Sequence, residues 1–345
     1  MLLSNGFLQR EVDKVHRVLV TDYAWKDLQI EREILCGAKA EILVTKTTEE
    51  AELIETVPAV DGILTCWKPV SGSVIRAANR CLSIGRFGIG LDNIDVAGAT
   101  QAGIIVTNVP AYCVDEVSDH AMALILTCAR KTAFYDRNLK AGTYDLQAGP
   151  PLYRIRGKTL GIAGFGKIGR AVAGKAQAFG LNVITHDPNV DAASVAIAGA
   201  ERVSFAELLE RSDFISVHVP LSPQTRHLFN YQAFQKMKPT AIIVNTSRGD
   251  LIDPAGLLAA LDEGLITAAG LDVLSQEPPA AGDCLVAHPR TVITPHAAFN
   301  SEESLRDLRE TTARQMADVL SGRRPQNIVN PAVLQQQNLR WRANV

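Results

Sequence analysis

Arg248, Glu277 and His296 supply a guanidinium, a carboxylate and an imidazole to the C-terminal half of this 345-residue chain. Each follows a short apolar run, AIIVN, TAAGLDV or TVIT, of the kind expected for a strand buried on both faces. In an open parallel α/β sheet, ligands bind outside the carboxyl ends of the strands, so three such tips could present these groups to one substrate. A guanidinium can grip a carboxylate through its planar fork and still polarise the adjacent carbonyl. An imidazole can deliver a proton to the alkoxide formed when a hydride reaches that carbonyl, and take it back in the reverse direction. A carboxylate beside it favours the imidazolium and fixes the ring. The chemistry that these residue types fit is hydride transfer between a redox cofactor and a 2-keto acid, with Arg248 on the substrate, His296 as acid/base and Glu277 as its partner. Taken singly, Arg248 reads also as a solvated loop arginine or a cofactor-phosphate ligand, Glu277 as a surface acid and His296 as a satisfied loop histidine.

The cofactor reading rests on GFGKIG, the six residues Gly164, Phe165, Gly166, Lys167, Ile168 and Gly169, which follow the strand-like TLGIA and open a helix. In this context the first glycine allows the tight turn, the second lets the backbone approach a pyrophosphate and the third lets helix and strand pack closely. The helix N-terminus adds amide donors and positive dipole character. Asp187 ends the next strand, where a carboxylate accepts the adenosine ribose hydroxyls and repels a phosphorylated ribose. That selects NAD over NADP.

Bulk properties narrow the classes. With 35 Lys and Arg against 37 Asp and Glu, and no concentrated positive stretch, the footprint of a nucleic-acid or anionic-membrane binder is missing. Cys36, Cys66, Cys81, Cys113, Cys128 and Cys284 are scattered, with no C-x-x-C pair and no histidine spacing that suggests a metal, and read as reduced core thiols. The start, MLLSNGFLQREVD, has too short an apolar stretch for a signal peptide, and no uncharged apolar segment reaches membrane-spanning length. These features predict a cytoplasmic protein. Among the other histidines, His218 before Pro220 either lines the cofactor cleft or is structural, while His120, His16, His186, His227 and His288 show no convergent partner.

The elements that must position these groups follow from alternation. From Arg17 to Thr107, β-rich runs (RVLVT, AEILV, DGILTC, IIVTN) alternate with helix-like stretches, which predicts a small flavodoxin-like α/β domain. A long apolar helix begins near Asp115 and ends near Arg130, with too many apolar positions for one stripe, so burial against two partners is expected. After the Gly- and Pro-rich segment 141–157 come strand 159–163, helix 168–179, strand 182–186, and a capping box of Ser204 and Glu207. Strands 214–219 and 241–245 follow, and then a helix capped by Asp253 with Pro254 in its first turn and Gly264 past its end. This is a Rossmann-type doubly wound parallel sheet. A helix over 302–320 returns the chain to the first domain. The expected division is a substrate (catalytic lid) domain of residues 1–110 and 299–345 and a dinucleotide-binding domain of 111–298. The tail after Pro331 is uninformative.

From about His16 to Pro331 the chain resembles the D-isomer-specific 2-hydroxyacid dehydrogenase family, through GIGLDNIDVAGAT, NVPAYCVDEVSDHAMALIL, GKTLGIAGFGKIG, VNTSRGDLID, AAGLDVLSQEPP and ITPHAAF. The resemblance implies Arg248 for substrate binding, Glu277 and His296 as the acid/base pair, and the amides of Gly88, Ile89 and Gly90 for the substrate carboxylate. It also implies Asp272 near the nicotinamide amide, with Val219 and Thr246 lining the cofactor cleft. Pro220, Thr225, His296 and Ala298 complete the cofactor set expected there. A homodimer through the helix near Asp115 is implied too. Within the family, RFGIGLDN and PHAAF are most similar to the C-terminal binding protein branch, in which Arg86 stands beside the substrate. Phe299 departs from the tryptophan usual there, and Trp67 sits at a loop position that faces substrate in relatives. The implied activity is interconversion of a 2-keto acid and its (R)-2-hydroxy acid. Phosphoglycerate-dehydrogenase-like activity and an NADH-sensing interaction protein are the alternatives, and the identity of the keto acid stays open.

Overall fold

The computed structural model describes residues 15–45, 49–149 and 151–343. The reading of the N-terminal segment 1–13 falls outside these residues. The chain forms two compact units, one from the residues up to Tyr112 together with those from Glu302 onward, the other Cys113–Ser301.

The first unit is built on five parallel strands, β1 (His16–Val20), β2 (Ala40–Val44), β3 (Gly62–Thr65), β4 (Ser83–Arg86) and β5 (Ile105–Thr107), in the order β2-β1-β3-β4-β5. This is the flavodoxin-like order, with its switch of direction between β1 and β3. The strands are short, β-branched and covered on both faces: Leu19, Ile63, Ile84 and Val106 lie in one apolar cluster while Val18, Val20 and Leu64 lie in another. Each such side chain contributes roughly 1.5–3 kcal/mol by leaving water. Strand β4, SIGR, went unrecognised among the sequence runs because Gly85 interrupts its apolar pattern; a Cβ there would collide with Leu64.

Helix Glu302–Leu320 has the expected bounds and packs on this sheet, lodging Leu308 and Met316 in its core. Arg309 pins it by donating to both oxygens of the fully buried Glu31, at 2.8 and 2.9 Å. Tail residues as far as Trp341 pack on the same unit. Val106 N–H donates to Asn330 Oδ1 at 2.8 Å, Arg340 N–H to Gly103 O at 3.0 Å, and Trp341 packs around Ile105, Val319 and Val333.

The second unit carries seven parallel strands: β6 (Thr159–Ala163), β7 (Asn182–His186), β8 (Glu201–Arg202), β9 (Phe214–Val217), β10 (Ile242–Asn245), β11 (Ala268–Leu271) and β12 (Thr291–Ile293). Their order is β12-β11-β10-β9-β6-β7-β8, so direction reverses between β6 and β9. That is the doubly wound arrangement, and its ligand crevice lies at the β6/β9 switch point. Alternate residues of each strand feed opposite faces. Ile215, Val217, Ile243 and Ala269 meet Phe234 and Leu257 on one side, while Leu160, Ile162, Phe214 and Val244 meet Ile125 and Val172 on the other.

Several boundaries differ from the sequence reading. Strand 214–219 stops at Val217, because pairing with β6 ends at Ala163, where that strand enters the glycine turn. Ser204 and Glu207 form the capping box in full. Asp253 occupies the N-cap position without a side-chain cap bond, and Pro254 at the first helical position sets the helix start by its fixed φ. The long helix, Val114–Arg130, packs on helix Lys167–Ala178 and on β10 and β11 of its own unit. Among the described residues, no helix is long and apolar enough to cross a membrane.

No disulfide links the described cysteines. Cys66, Cys81, Cys113 and Cys128 are buried, whereas Cys36 and Cys284 are exposed rather than in the core. Burial pushes the thiols of Cys66, Cys81 and Cys128 up to about 12, which leaves them unreactive.

Candidate active site

The glycine turn closes β6 onto the N-terminus of helix Lys167–Ala178. Gly164 has φ +91°, and a Cβ there would strike His218 O at 2.5 Å, while a Cβ on Gly169 would strike Gly164 O at 2.3 Å. Protein packing demands those two glycines. Gly166 is different, since a Cβ there would meet nothing within 4 Å. The backbone is bare at the helix N-cap, on which no side chain bonds to the first amides, so it offers those amides to an anion from outside the protein.

Asp187, just past β7, is drawn into the same turn. One carboxylate oxygen accepts the Phe165 N–H at 2.8 Å and the other the Asn189 N–H at 2.9 Å. Past β9 and β10, the buried His218 Nδ1 and Thr246 Oγ1 have no hydrogen-bond partner among the described residues. His218 is partly exposed as a residue, yet its Nδ1 is sealed from solvent, and burial pushes the imidazole down to about 4. Its Nε2 meets Ser216 Oγ at 2.8 Å. Val219 is half-buried and packs beside the core, and Thr225 closes the following loop by donating to Pro220 O at 2.7 Å. An open glycine, uncapped amides and orphaned buried atoms at adjacent strand ends fit a dinucleotide.

Arg248 lies three residues past β10 on a loop fixed by buried Asn245. Asn245 donates to Arg248 O at 2.8 Å and accepts the Ser247 N–H at 3.0 Å. The next residue, Gly249, touches the backbone of Leu274 and Ser275 so closely that a Cβ would lie 2.0 Å from Leu274 C. Glycine at this position brings the Arg248 loop against the loop that carries Glu277. Glu277 Oε1 accepts the Leu274 N–H at 2.9 Å, and Oε2 stands 2.7 Å from His296 Nδ1. Burial opposes ionisation of Glu277. The hydrogen bond and charge of His296, the Leu274 amide and the charge of Arg248 outweigh it and hold the carboxyl below the usual glutamate range. The cation, the acid and the imidazole named from sequence are therefore brought together by β10, β11 and β12.

His296 itself has φ +52°, a left-handed conformation costing roughly 1–3 kcal/mol outside glycine. Asp272, just past β11, over-determines it. Its carbonyl accepts the His296 N–H at 2.8 Å, and its carboxylate accepts the N–H groups of Ala297 at 2.8 Å and Ala298 at 2.9 Å. Asp272 is 1% exposed, so these observed partners lie within the protein. Phe299 meets the His296 ring edge-on at 6.1 Å.

The first unit presents Trp67 and Arg86 at the carboxyl ends of neighbouring strands β3 and β4. Trp67 is 42% exposed, and its N–H, with that of Cys66, is held by Asp22 at 2.7 and 2.9 Å. Arg86 is buried and donates to Phe87 O. Gly88 takes φ +145°, and the loop it opens is tied down by Asn108, which donates to Ile89 O at 2.8 Å.

Two contributors escaped the sequence reading. Asp22 stands behind the Trp67 loop, and its only signal is a polar residue just after the RVLVT run. His120, assigned no partner from sequence, reaches Thr294 Oγ1 at 2.9 Å and lies 3.5 Å from Asp272 Oδ1. Its signal is a lone imidazole in an apolar helix.

Residues 122–298 match the family model described as the NAD-binding domain of D-isomer-specific 2-hydroxyacid dehydrogenases. A glyoxylate reductase of Korarchaeum cryptofilum is 38% identical over 286 residues, covering 82% of this chain and 86% of that protein. A D-3-phosphoglycerate dehydrogenase of Methanocaldococcus jannaschii is 38% identical over 328 residues, 94% of this chain; the chain spans 61% of that relative's length. Among solved structures, D-lactate dehydrogenase from Aquifex aeolicus, complexed with NAD and lactic acid, matches with a TM-score of 0.82 at 27% identity, over 91% of this chain and 99% of that one. With identity of this order across most of both chains, and a parallel-sheet fold shared with those enzymes, the chain belongs to the D-isomer-specific 2-hydroxyacid dehydrogenases, a family of NAD-dependent oxidoreductases.

Proposed function

We propose that this protein reduces a small 2-keto acid to its (R)-2-hydroxy acid, and runs the reverse reaction, with Arg248, Glu277 and His296 as its catalytic residues. The observation that carries the reading is the 2.7 Å contact between His296 Nδ1 and Glu277 Oε2 beside the Arg248 loop. NAD would be held by Gly164–Gly169, Asp187, Val219, Pro220, Thr225, Thr246 and Ala298, and when bound it supplies or receives the hydride. Arg248 grips the substrate carboxylate and polarises the carbonyl. Glu277 accepts the Nδ1 proton, so the proton exchanged with the substrate oxygen is carried on His296 Nε2. Acid/base catalysis of this kind contributes about 10²- to 10⁴-fold in rate.

In this reading the unit Cys113–Ser301 binds the dinucleotide and carries Phe299 near the substrate side group. Arg86, Trp67 and the amides of Gly88, Ile89 and Gly90 are the further substrate contacts that the family resemblance implies. The glyoxylate reductases among the relatives support a compact keto acid such as glyoxylate, and the D-3-phosphoglycerate dehydrogenases among them support the phosphorylated alternative. Buried cysteines that form no disulfide support a reducing, cytoplasmic setting, and the helix Val114–Arg130 is the proposed homodimer contact.

The test is NADH oxidation with glyoxylate, pyruvate, phenylpyruvate and 3-phosphohydroxypyruvate, with chiral analysis of the product. Turnover of an unphosphorylated acid to the (R)-product supports the proposal. Preference for the phosphorylated acid would move the assignment to phosphoglycerate dehydrogenase chemistry. Tight NADH binding with no turnover would favour a sensing protein.

A further inference from the structure

We propose that His120 is a positioning residue for the reaction: acting through Thr294 and Asp272, it holds the strained turn that aims His296 at the substrate. The inference rests on the reading of His296 as proton donor, and it concerns a residue on helix Val114–Arg130, well outside the loops that carry the reacting groups.

The partners of Asp272 and Thr294 fix the direction of each hydrogen bond. Asp272 Oδ1 accepts the Ala297 amide and Oδ2 the Ala298 amide, so both carboxylate oxygens act as acceptors. Thr294 Oγ1 lies 2.5 Å from Asp272 Oδ1 and must give its only proton to it. The hydroxyl is then left with lone pairs, and the 2.9 Å contact to His120 Nε2 requires that nitrogen to be the donor. The chain of donors runs from His120 to Thr294 to Asp272, and it ends on the carboxylate that fixes the two amides immediately after His296. The carbonyl of the same Asp272 fixes the His296 amide itself, at 2.8 Å.

A histidine at φ +52° persists only where its surroundings over-determine the backbone. Three of the bonds that do so come from Asp272, and this side chain is 1% exposed, so a donor lost from its carboxylate is not replaced by bulk water. Without the His120 donor, the Thr294 hydroxyl loses the bond that anchors its oxygen, the carboxylate it serves shifts with it, and the turn relaxes toward an unstrained backbone. His296 Nδ1 then moves off Glu277, and a displacement of this kind costs up to about 100-fold in rate without touching the cofactor turn.

The experiment compares wild type with His120→Leu, His120→Gln and Thr294→Val. It reads kcat and KM for the best keto acid, NADH affinity by fluorescence, and amide hydrogen exchange at Ala297 and Ala298. Expected for His120→Leu and Thr294→Val is faster exchange at those two amides and kcat lower by about 10- to 100-fold, with NADH affinity within about twofold of wild type. Glutamine can place an amide N–H near the position of Nε2, so His120→Gln should restore slow exchange and most of kcat. The proposal is overturned if His120→Leu keeps wild-type exchange and kcat, or if His120→Gln falls as far as leucine. Faster exchange in a protein whose wild type turns over no keto acid would uphold the positioning role while removing the proposed activity.

Discussion

Gly249 lies against Leu274, with so little room that a Cβ would stand 2.0 Å from the Leu274 carbonyl carbon, and this contact places the Arg248 loop beside the loop of Glu277. The two loops leave adjacent parallel strands, β10 and β11, so the sheet sets their separation and the glycine sets their approach. Gly249→Ala should therefore misplace Arg248 and Glu277 together. The expected outcome is a loss of kcat/KM of about 100-fold at unchanged NADH affinity, measured by steady-state kinetics and fluorescence titration.

Arg248→Lys keeps the charge but removes the planar fork. A charge-assisted hydrogen bond of about 1.5–3 kcal/mol is lost, so kcat/KM should fall by about 10- to 100-fold, again with NADH affinity intact. Equal activity in the lysine variant would remove the assigned role.

The Glu277 carboxyl is held below the usual glutamate range, so the sign of its pH effect is fixed. Its carboxylate is fully present above the unfolded value and is lost only as pH falls through the lower folded value. Glu277→Gln should therefore reduce kcat by about 10- to 100-fold near pH 7. The gap between variant and wild type should close as pH drops below the ordinary carboxylate range, where wild type also loses the charge. A gap that stayed constant down to acid pH would contradict the pairing.

For His218 the buried Nδ1 lowers the imidazole from 6.5 to about 4. The unfolded state then takes up a proton before the folded state does. Stability is complete above about pH 6.5 and declines as pH falls toward about 4, by at most about 3 kcal/mol and by less to the extent that the ring is solvated. Thermal melts of the ligand-free protein at pH 7 and pH 5 should show this decline, and His218→Leu should flatten it.

Asp187 closes the glycine turn by accepting the Phe165 N–H, and in the proposed function its charge rejects a phosphorylated ribose. Asp187→Asn retains an acceptor for the Phe165 amide while removing the charge. NADPH affinity should rise about tenfold, since one unit charge at a few ångströms is worth about 1 kcal/mol even in water. Titration of both cofactors into wild type and variant checks this.

The sequence exposed the parts of this protein that are written locally. GFGKIG after an apolar strand is a strand-turn-helix signal within a dozen residues, and Arg248, Glu277 and His296 each follow their own strand. What supports them is not local. His120 meets Thr294 across 174 residues of chain, and Asp22 reaches Cys66 across 44, so neither contact leaves a periodic or spacing signal. Strand β4 was hidden by Gly85, whose missing side chain is explained only by Leu64 on the neighbouring strand. Packing over distance, rather than propensity, decided the unread portion.

In the proposed function His296 delivers the proton to a keto acid while Glu277 holds its ring. The most direct measurement is the rate of NADH oxidation by wild type and by His296→Ala, with the best keto acid at saturating cofactor. Wild type should turn over, with a loss of about 10²- to 10⁴-fold in the variant at unchanged NADH affinity. A His296→Ala protein that consumed NADH as fast as wild type would contradict it.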